Sequence, residues 1–406
     1  MVSPASAEMD YTPKVLGNAN MDGTIDQKDI DFLNAIIAGT ESPTALADAN
    51  DDGKIDDKDI DQVENILQDT ESEISVIDAL NRTVKIKFPV ERVIVAFTPL
   101  AEEIVAIGAD SKVVGVSSDI VKLPELFPEL SKCQNVGRTK ELDMEKIISL
   151  KPDLLVIYEG GDKGIINKLE TAGIPVLFSE GHGELLHSIS AIRRLGYVLG
   201  VADNAEEYTN WYGGFLDDIS RKTEDLSNEE KPSVFYYWAP TDLLPMGTSG
   251  QGCPVISMIN IAGGRDIAAD RPGVGLPGVY VQIDPEWVIE QNPSVILWEA
   301  LIPNNNAGYQ VNNSTAVDMR LKDFANVTGF SNIDAVKNRN VYTMSFYILT
   351  ANPWIGTVYL SKLLHPEIFK DLDPRAVHQE YLKRFLHLDY DINKRGLFLY
   401  PIPEDW

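Results

Sequence analysis

The chain has 406 residues, 44% hydrophobic and 24% charged, a balance that fits two or three folded domains and excludes a disordered polypeptide. Its 62 acidic residues outnumber 35 basic ones and leave a net charge of −27, which excludes nucleic acid as a partner because that association rests on neutralising phosphates. The two cysteines, Cys133 and Cys253, have no disulfide-framework or metal-site spacing, and no apolar run reaches the ~18 residues of a membrane-spanning helix.

Residues 1–13 read as a flexible tail. Within it Ala5-Ser6-Ala7 matches the cleavage end of a signal peptide whose apolar core lies outside the sequence, so an extracytoplasmic location, periplasmic or cell-surface, is expected. Sequons at Asn81, Asn313 and Asn326 are compatible with that location.

Residues 14–70 contain a tandem repeat with a period of 30, GNANMDGTIDQKDIDFL and ADANDDGKIDDKDIDQV. Asn18, Asn20, Asp22, Asp26 and Asp29 align with Asp48, Asn50, Asp52, Asp56 and Asp59, placing oxygen ligands at loop positions 1, 3, 5, 9 and 12. Gly23 and Gly53 allow the sharp turn at position 6, and the main-chain carbonyls of Thr24 and Lys54 complete the set at position 7. These are the requirements of a calcium loop, so calcium at two sites is the expected cofactor, weaker in the first loop because Asn18 replaces a carboxylate. Pro13 and Gly17 argue against an entering helix, whereas periodic exiting helices are expected over Lys28–Ile37 and Lys58–Leu67. A duplicated calcium loop with a following helix and no preceding one resembles a dockerin. The resemblance implies a small all-α docking module whose helices bind a cohesin-like partner, read at Gln27-Lys28 and Asp57-Lys58.

An acidic linker, DTESEIS at 69–75, precedes a change of pattern. The apolar runs VIVAF, KVVGV, LLVIY and PVLFS alternate with the helical segments AEEIVAIG, MEKIISLK and GIINKLETAG, which predicts a parallel sheet covered by helices. The alternation resumes with SVFYYW, VILWEALI and VYTMSF after a long helical stretch. The expected fold is therefore α/β, two lobes with parallel sheets joined by a long helix and preceded by the calcium-loop module. Its boundaries are 71–203 for the N-terminal lobe, 204–228 for the connecting helix, 229–390 for the C-terminal lobe and 391–406 for an extension.

LDMEKIISLKPDLLVI at 142–157 returns 141 residues later as IDPEWVIEQNPSVILW at 283–298. Each copy predicts a loop, a helix beginning near Glu145 or Glu286, a turn at Lys151-Pro152 or Asn292-Pro293, and a strand. On the residues alone each glutamate is a carboxylate at a helix start, favoured there by the dipole. VERVIVAFTPLAEEIVAIGADSKVVGVSSD followed by VGRTKELDMEKIISLKPDLLVI, with AGGRDIAAD and LLHPEIF further on, resembles substrate-binding proteins that serve ATP-driven importers of ferric siderophores, haem and corrinoids. The resemblance runs from Ile77 to Phe385 and implies that Glu145 and Glu286, one per lobe, dock on arginines of the membrane permease.

Ligands of open α/β sheets lie beyond the carboxyl ends of the strands. Thr98, Tyr158 and His182 fall there in the first lobe, and Tyr237, Trp238, Trp298, Phe346 and Tyr347 in the second, with Trp354 nearby. Some of these rings are expected to be core; the others suit a large organic ligand rather than a bare ion. Arg138, Lys163 and Arg271 in neighbouring loops suit an anionic one, so a ferric siderophore is expected ahead of a corrinoid or haem. Of the five histidines, His365, His378 and His387 lie in a C-terminal helical region, and His182 and His187 are too few for a zinc site. GTSGQG and GVGLPG lack the Lys-Ser/Thr of a phosphate loop. There is no GxSxG, HExxH or Cys–His arrangement, and Glu102-Glu103 are helix neighbours that do not face each other. A binding protein is therefore expected rather than an enzyme. A chelatase on a similar fold is the enzymatic alternative, and a surface protein using only the calcium module is the third.

Overall fold

A computed structural model describes residues 9–180, 185–238, 246–250, 253–271, 280–300, 307–403 and 406. The chain divides into two compact units, one of residues 8–181 and 186–211, the other chiefly of residues 212–406. No helix among the described residues is long and apolar enough to cross a membrane.

In the first unit each tandem loop ends in a helix, α1 (Gln27–Ile37) or α2 (Asp57–Leu67). Asp26 and Asp56 are the N-caps, accepting from the N–H groups of Lys28 and Lys58, while Asp29 and Asp59 accept from the caps' own N–H groups. These reciprocal bonds satisfy donors that the first turn leaves orphaned. Leu33, Ile36, Val63 and Ile66, recurring at helical spacing, are buried as α1 packs on α2. Gly17 has φ +109°, and a Cβ there would lie 3.2 Å from Val63 Cγ2, so this approach of chain to helix needs glycine. As expected, no helix enters the first loop; Val15 instead forms a β-bridge with Val76.

The stretch that reads as a linker is partly structure. Its last residues open β1 (Glu73–Ile77), which pairs antiparallel with β2 (Thr83–Lys87). Alternating burial of Val84 and Ile86 matches the period of a half-buried strand. Residues 14–70 are thereby stitched onto the lobe that follows: the Leu16 N–H donates to Ser75 O and the Ile77 N–H to Lys14 O, both at 2.9 Å.

That lobe follows the expected alternation: β3 (Val93–Val95), α3 (Thr98–Ala106), β4 (Val113–Val116), α4 (Ser118–Val121), β5 (Gln134–Asn135), then a hairpin of β6 (Gly137–Arg138) and β7 (Glu141–Leu142). It continues through α5 (Met144–Leu150), β8 (Leu154–Tyr158), α6 (Ile165–Thr171) and β9 (Val176–Ser179). The five-stranded sheet has the order β5-β4-β3-β8-β9 and is parallel throughout. All of β8 is buried, the consequence of helices on both faces. Two helices follow, α7 (Leu185–Leu199) and α8 (Ala202–Thr223), the second matching the expected long helix.

The second unit contains β10 (Ser233–Tyr237), β11 (Met246–Ser249), α9 (Pro254–Ile261), β12 (Arg265–Asp266), β13 (Tyr280–Ile283), α10 (Pro285–Gln291) and β14 (Val295–Ala300). After these come α11 (Thr315–Ala325), α12 (Asp334–Lys337), β15 (Val341–Ser345), a π-helical turn at Tyr347–Ala351, α13 (Pro353–Leu364), α14 (Pro374–Arg384) and β16 (Leu399–Tyr400). Its sheet has the order β12-β10-β14-β15-β16, parallel except for β16. The segment 391–406, expected as an extension, supplies that antiparallel edge strand, and the Trp406 ring lies 5.9 Å from Tyr359.

Candidate functional site

At the carboxyl edge of the first unit's sheet, Thr98 opens α3 directly after β3 and is buried. Tyr158 ends β8 and stacks on Phe97, ring centroids 4.3 Å apart. Lys163, in the loop after β8, and Arg138, on β6, are exposed; His182 lies outside the described residues. Between them sits an acidic group that reading the strand ends for rings and cations passes over. Glu159 and Glu180 directly follow β8 and β9, and Glu103 lies in the second turn of α3. Burial pushes the Glu103 carboxyl well above the usual range, Glu180, Glu102 and Glu159 push it further, and only Arg194 opposes them. Arg194, fully buried, donates to Glu180 at 2.5 Å, to Ser179 Oγ and to the Ile77 carbonyl. The available signal was position, since both Glu159 and Glu180 are the first residue after an apolar strand.

In the second unit the expected rings divide. Tyr237 and Trp298 are in register on adjacent strands and so point to one face, which carries the core with Phe324 of α11. They are 0% and 5% exposed. Tyr347 is buried against Tyr309, and Trp354 between Tyr212 and Tyr381. Trp238 and Phe346 are half-buried, Trp238 with its main chain bridged to Gly247. Arg271 lies 3.9 Å from the centre of the Trp287 ring on α10, a cation–π contact. Glu299, on β14, is fully buried and accepts from the hydroxyls of Tyr236 and Thr350, each at 2.5 Å; burial raises its pKa.

The repeated stretch forms the same unit twice. Asp143 caps α5, accepting from the Lys146 N–H at 3.0 Å, and Asp284 caps α10, accepting from the Glu286 N–H at 2.9 Å. Glu145 and Glu286 are the second residues of their seven-residue helices and both are exposed. Lys151 and Asn292 end the helices at φ +48° and +45°, and a buried proline follows each. Matched caps, left-handed ends and prolines set both glutamates at equivalent points of their units.

The tandem loops share the bonds made by the side chains at positions 3, 5 and 12 and differ at position 1, where Asp48 accepts from the N–H groups of Asp52 and Gly53. Asp29 Oδ1 and Asp59 Oδ1 accept from the N–H groups of Asn20 and Asn50, each at 3.1 Å, while Asn20 and Asn50 Oδ1 accept from those of Asp22 and Asp52. The N–H groups of Thr24 and Lys54 donate to Asp22 and Asp52. Burial, with the charges of Asp22 and Asp26, pushes the Asp29 carboxyl up to about 6, and burial also raises Asp59. Asn18 is fully buried: its Nδ2 donates to the Asp22 and Pro13 carbonyls, but its Oδ1 meets no donor among the described residues. Among the described residues no three His, Cys, Asp or Glu side chains converge as a metal cluster; the loops offer amide and main-chain oxygens beside their carboxylates. An all-oxygen donor set with an orphaned amide oxygen fits a hard cation.

The chain thus carries two α/β units, each with a mainly parallel sheet and an Asp-capped helix that has an exposed glutamate at its start. The periplasmic binding protein family matches residues 93–347, and the chain belongs to it. YvrC of Bacillus subtilis, an uncharacterised ABC transporter substrate-binding lipoprotein, is 27% identical over 72% of this chain and 86% of its own. The molybdate-binding protein MolA of Haemophilus influenzae is 26% identical over 77% of this chain and 90% of its own, and a vitamin B12-binding protein of Salmonella paratyphi A is 25% identical over 50% and 71%. Among solved structures, the TroA-like periplasmic binding protein FepB from Veillonella parvula superposes with a TM-score of 0.68 at 24% identity, covering 81% of this chain and 99% of that one. That match shares the fold. The family match begins after the tandem loops.

Proposed function

We propose that the chain is an extracytoplasmic solute-binding protein that captures a metal chelate, foremost a ferric siderophore, and delivers it to the permease of an ABC importer. The observation that carries this reading is the pair Glu145 and Glu286, exposed at the same position of matched helices on the two units. Single exposed ion pairs contribute only about 0.2–1 kcal/mol, but two at equivalent places set orientation and steer encounter with a basic partner. A lipoprotein relative supports the location. Exposed Arg138 and Lys163 and a molybdate-binding relative support an anionic ligand. A corrinoid is the second reading, favoured by the acidic edge of Glu103, Glu159 and Glu180 and by vitamin B12-binding relatives.

The tandem loops would hold calcium through Asn18, Asn20, Asp22, Thr24, Asp26 and Asp29 and through Asp48, Asn50, Asp52, Lys54, Asp56 and Asp59, leaving α1 and α2 to meet a cohesin-like protein. Bound calcium supplies charge that balances the clustered carboxylates. The test of the transport reading is a reconstituted importer: Glu145→Ala with Glu286→Ala abolishes uptake and leaves chelate affinity unchanged. A loss of affinity instead would assign the glutamates to the ligand site and overturn it. Titration with ferric catecholate, ferric citrate, haem and cobalamin separates the ligand readings, binding of cobalamin alone favouring the second.

A further inference from the structure

The two loops share the bonds accepted by Asn20 and Asn50, Asp22 and Asp52, and Asp29 and Asp59, but not their surroundings. The first is gripped by α7 of the α/β lobe: Arg193 Nη1 donates to the Gly23 carbonyl at 2.7 Å, and the Ile25 N–H donates to the Tyr197 hydroxyl oxygen at 2.7 Å. Arg193, 5% exposed, is itself fixed by α8, its Nε donating to Thr209 Oγ1 and its Nη2 to Asn210 Oδ1. The turn of the second loop, Asp52 to Lys54, is exposed. A Cβ at Gly53 would meet nothing within 4 Å, whereas one at Gly23 would lie 2.5 Å from Arg193 Nη1. Asp51 in this loop forms an ion pair with Lys85 of β2, 3.2 Å long between side chains 34% and 44% exposed.

We infer that Arg193 and Tyr197 are positioning residues of the first calcium site, which is thus built jointly by the loop and the α/β lobe, while the second loop is self-contained. The inference rests on the calcium reading above. Gly23 and Ile25 flank Thr24, whose carbonyl is the main-chain ligand at position 7. Bonds to the neighbours on both sides hold that carbonyl's peptide before a cation arrives. The first loop needs this more than the second, because Asn18 in place of an aspartate gives it one ligand charge fewer. A loop held in its binding geometry has a larger competent fraction, and the apparent dissociation constant falls in proportion. The coupling is reciprocal, so calcium in the first loop stabilises the packing of residues 9–25 on α7.

The experiment is calorimetric calcium titration of the full chain, wild type against Tyr197→Phe, repeated with Asp52→Ala to isolate the first loop. Wild type takes up two calcium ions. Tyr197→Phe, which keeps the ring and removes the acceptor, weakens one site roughly three- to tenfold and leaves the other unchanged, the effect of one lost hydrogen bond. Arg193→Gln acts on the same site and serves should the first variant misfold by far-UV circular dichroism. Two unchanged affinities, or equal weakening of both sites, would overturn the inference. A wild-type chain that takes up no calcium would instead remove the calcium reading on which it stands.

Discussion

His378 on α14 is fully buried, its Nε2 3.1 Å from the Tyr309 hydroxyl and its Nδ1 3.4 Å from that of Tyr359, with the Phe398 ring 4.6 Å away. Burial holds its pKa at about 3, against 6.5 for an exposed imidazole. In the unfolded chain the ring gains a proton as pH falls through 6.5; in the folded protein it stays neutral until about 3. Between those values the unfolded state binds the extra proton, so stability falls as pH falls and the loss levels off below the folded pKa. At ~1.36 kcal/mol per pH unit, about 2 kcal/mol is lost by pH 5 and roughly 4–5 kcal/mol by pH 3. The perturbation is His378→Gln, which retains a donor and an acceptor for the two tyrosines but has no titrating site. Denaturant unfolding followed by tryptophan fluorescence at pH 7 and pH 5 reads the difference. The variant loses about 1 kcal/mol at pH 7 through imperfect bonds, and its further loss on going to pH 5 is about 2 kcal/mol smaller than that of wild type. Equal pH dependence in the two proteins would refute the argument that this histidine is buried neutral.

Replacing Asp52 by Ala removes a proposed calcium ligand and the acceptor for the Lys54 N–H, so one calcium equivalent is lost from a calorimetric titration on the calcium reading; retention of two would contradict the loop assignment. Glu299→Leu strands the buried hydroxyl of Tyr236 and removes the acceptor of the half-buried Thr350, costing about 1–3 kcal/mol for the first, whereas Glu299→Gln keeps an acceptor and costs less; unfolding midpoints that rank the two the other way would disprove the satisfied-carboxyl account. Gly17→Ala combines φ +109° with a Cβ 3.2 Å from Val63, so the melting temperature falls by an amount that corresponds to at least about 1 kcal/mol, and an unchanged melting temperature would refute the strain.

Much of the architecture was legible because it is written in local chemistry. Capping aspartates with ligand spacing announce both loops and the helices after them, and continuous apolar runs such as LLVIY announce strands buried on both faces. The duplicated helix-start glutamates were visible as a repeat, since an aspartate cap, a left-handed helix end and a following proline are each properties of a few adjacent residues.

What tertiary structure alone decided involves residues far apart in the chain. The segment 69–75 reads as a linker by composition, yet its end pairs with β2 and accepts from the Leu16 N–H at Ser75, because an edge strand is defined by its partner rather than by its own residues. Tyr237 ends its strand, but Trp298, read as a strand-end ring, is followed by two more residues of β14; both face the core, where α11 brings Phe324 against Tyr237. Glu103, Glu180 and Arg194 come from three separate elements, and their coupling exists only where the sheet's carboxyl edge gathers them away from water. The grip of Arg193 and Tyr197 on the first loop spans about 170 residues. Periodicity and capping report on neighbours within a turn or two, whereas desolvation and long-range hydrogen bonds depend on which surfaces the folded chain brings together.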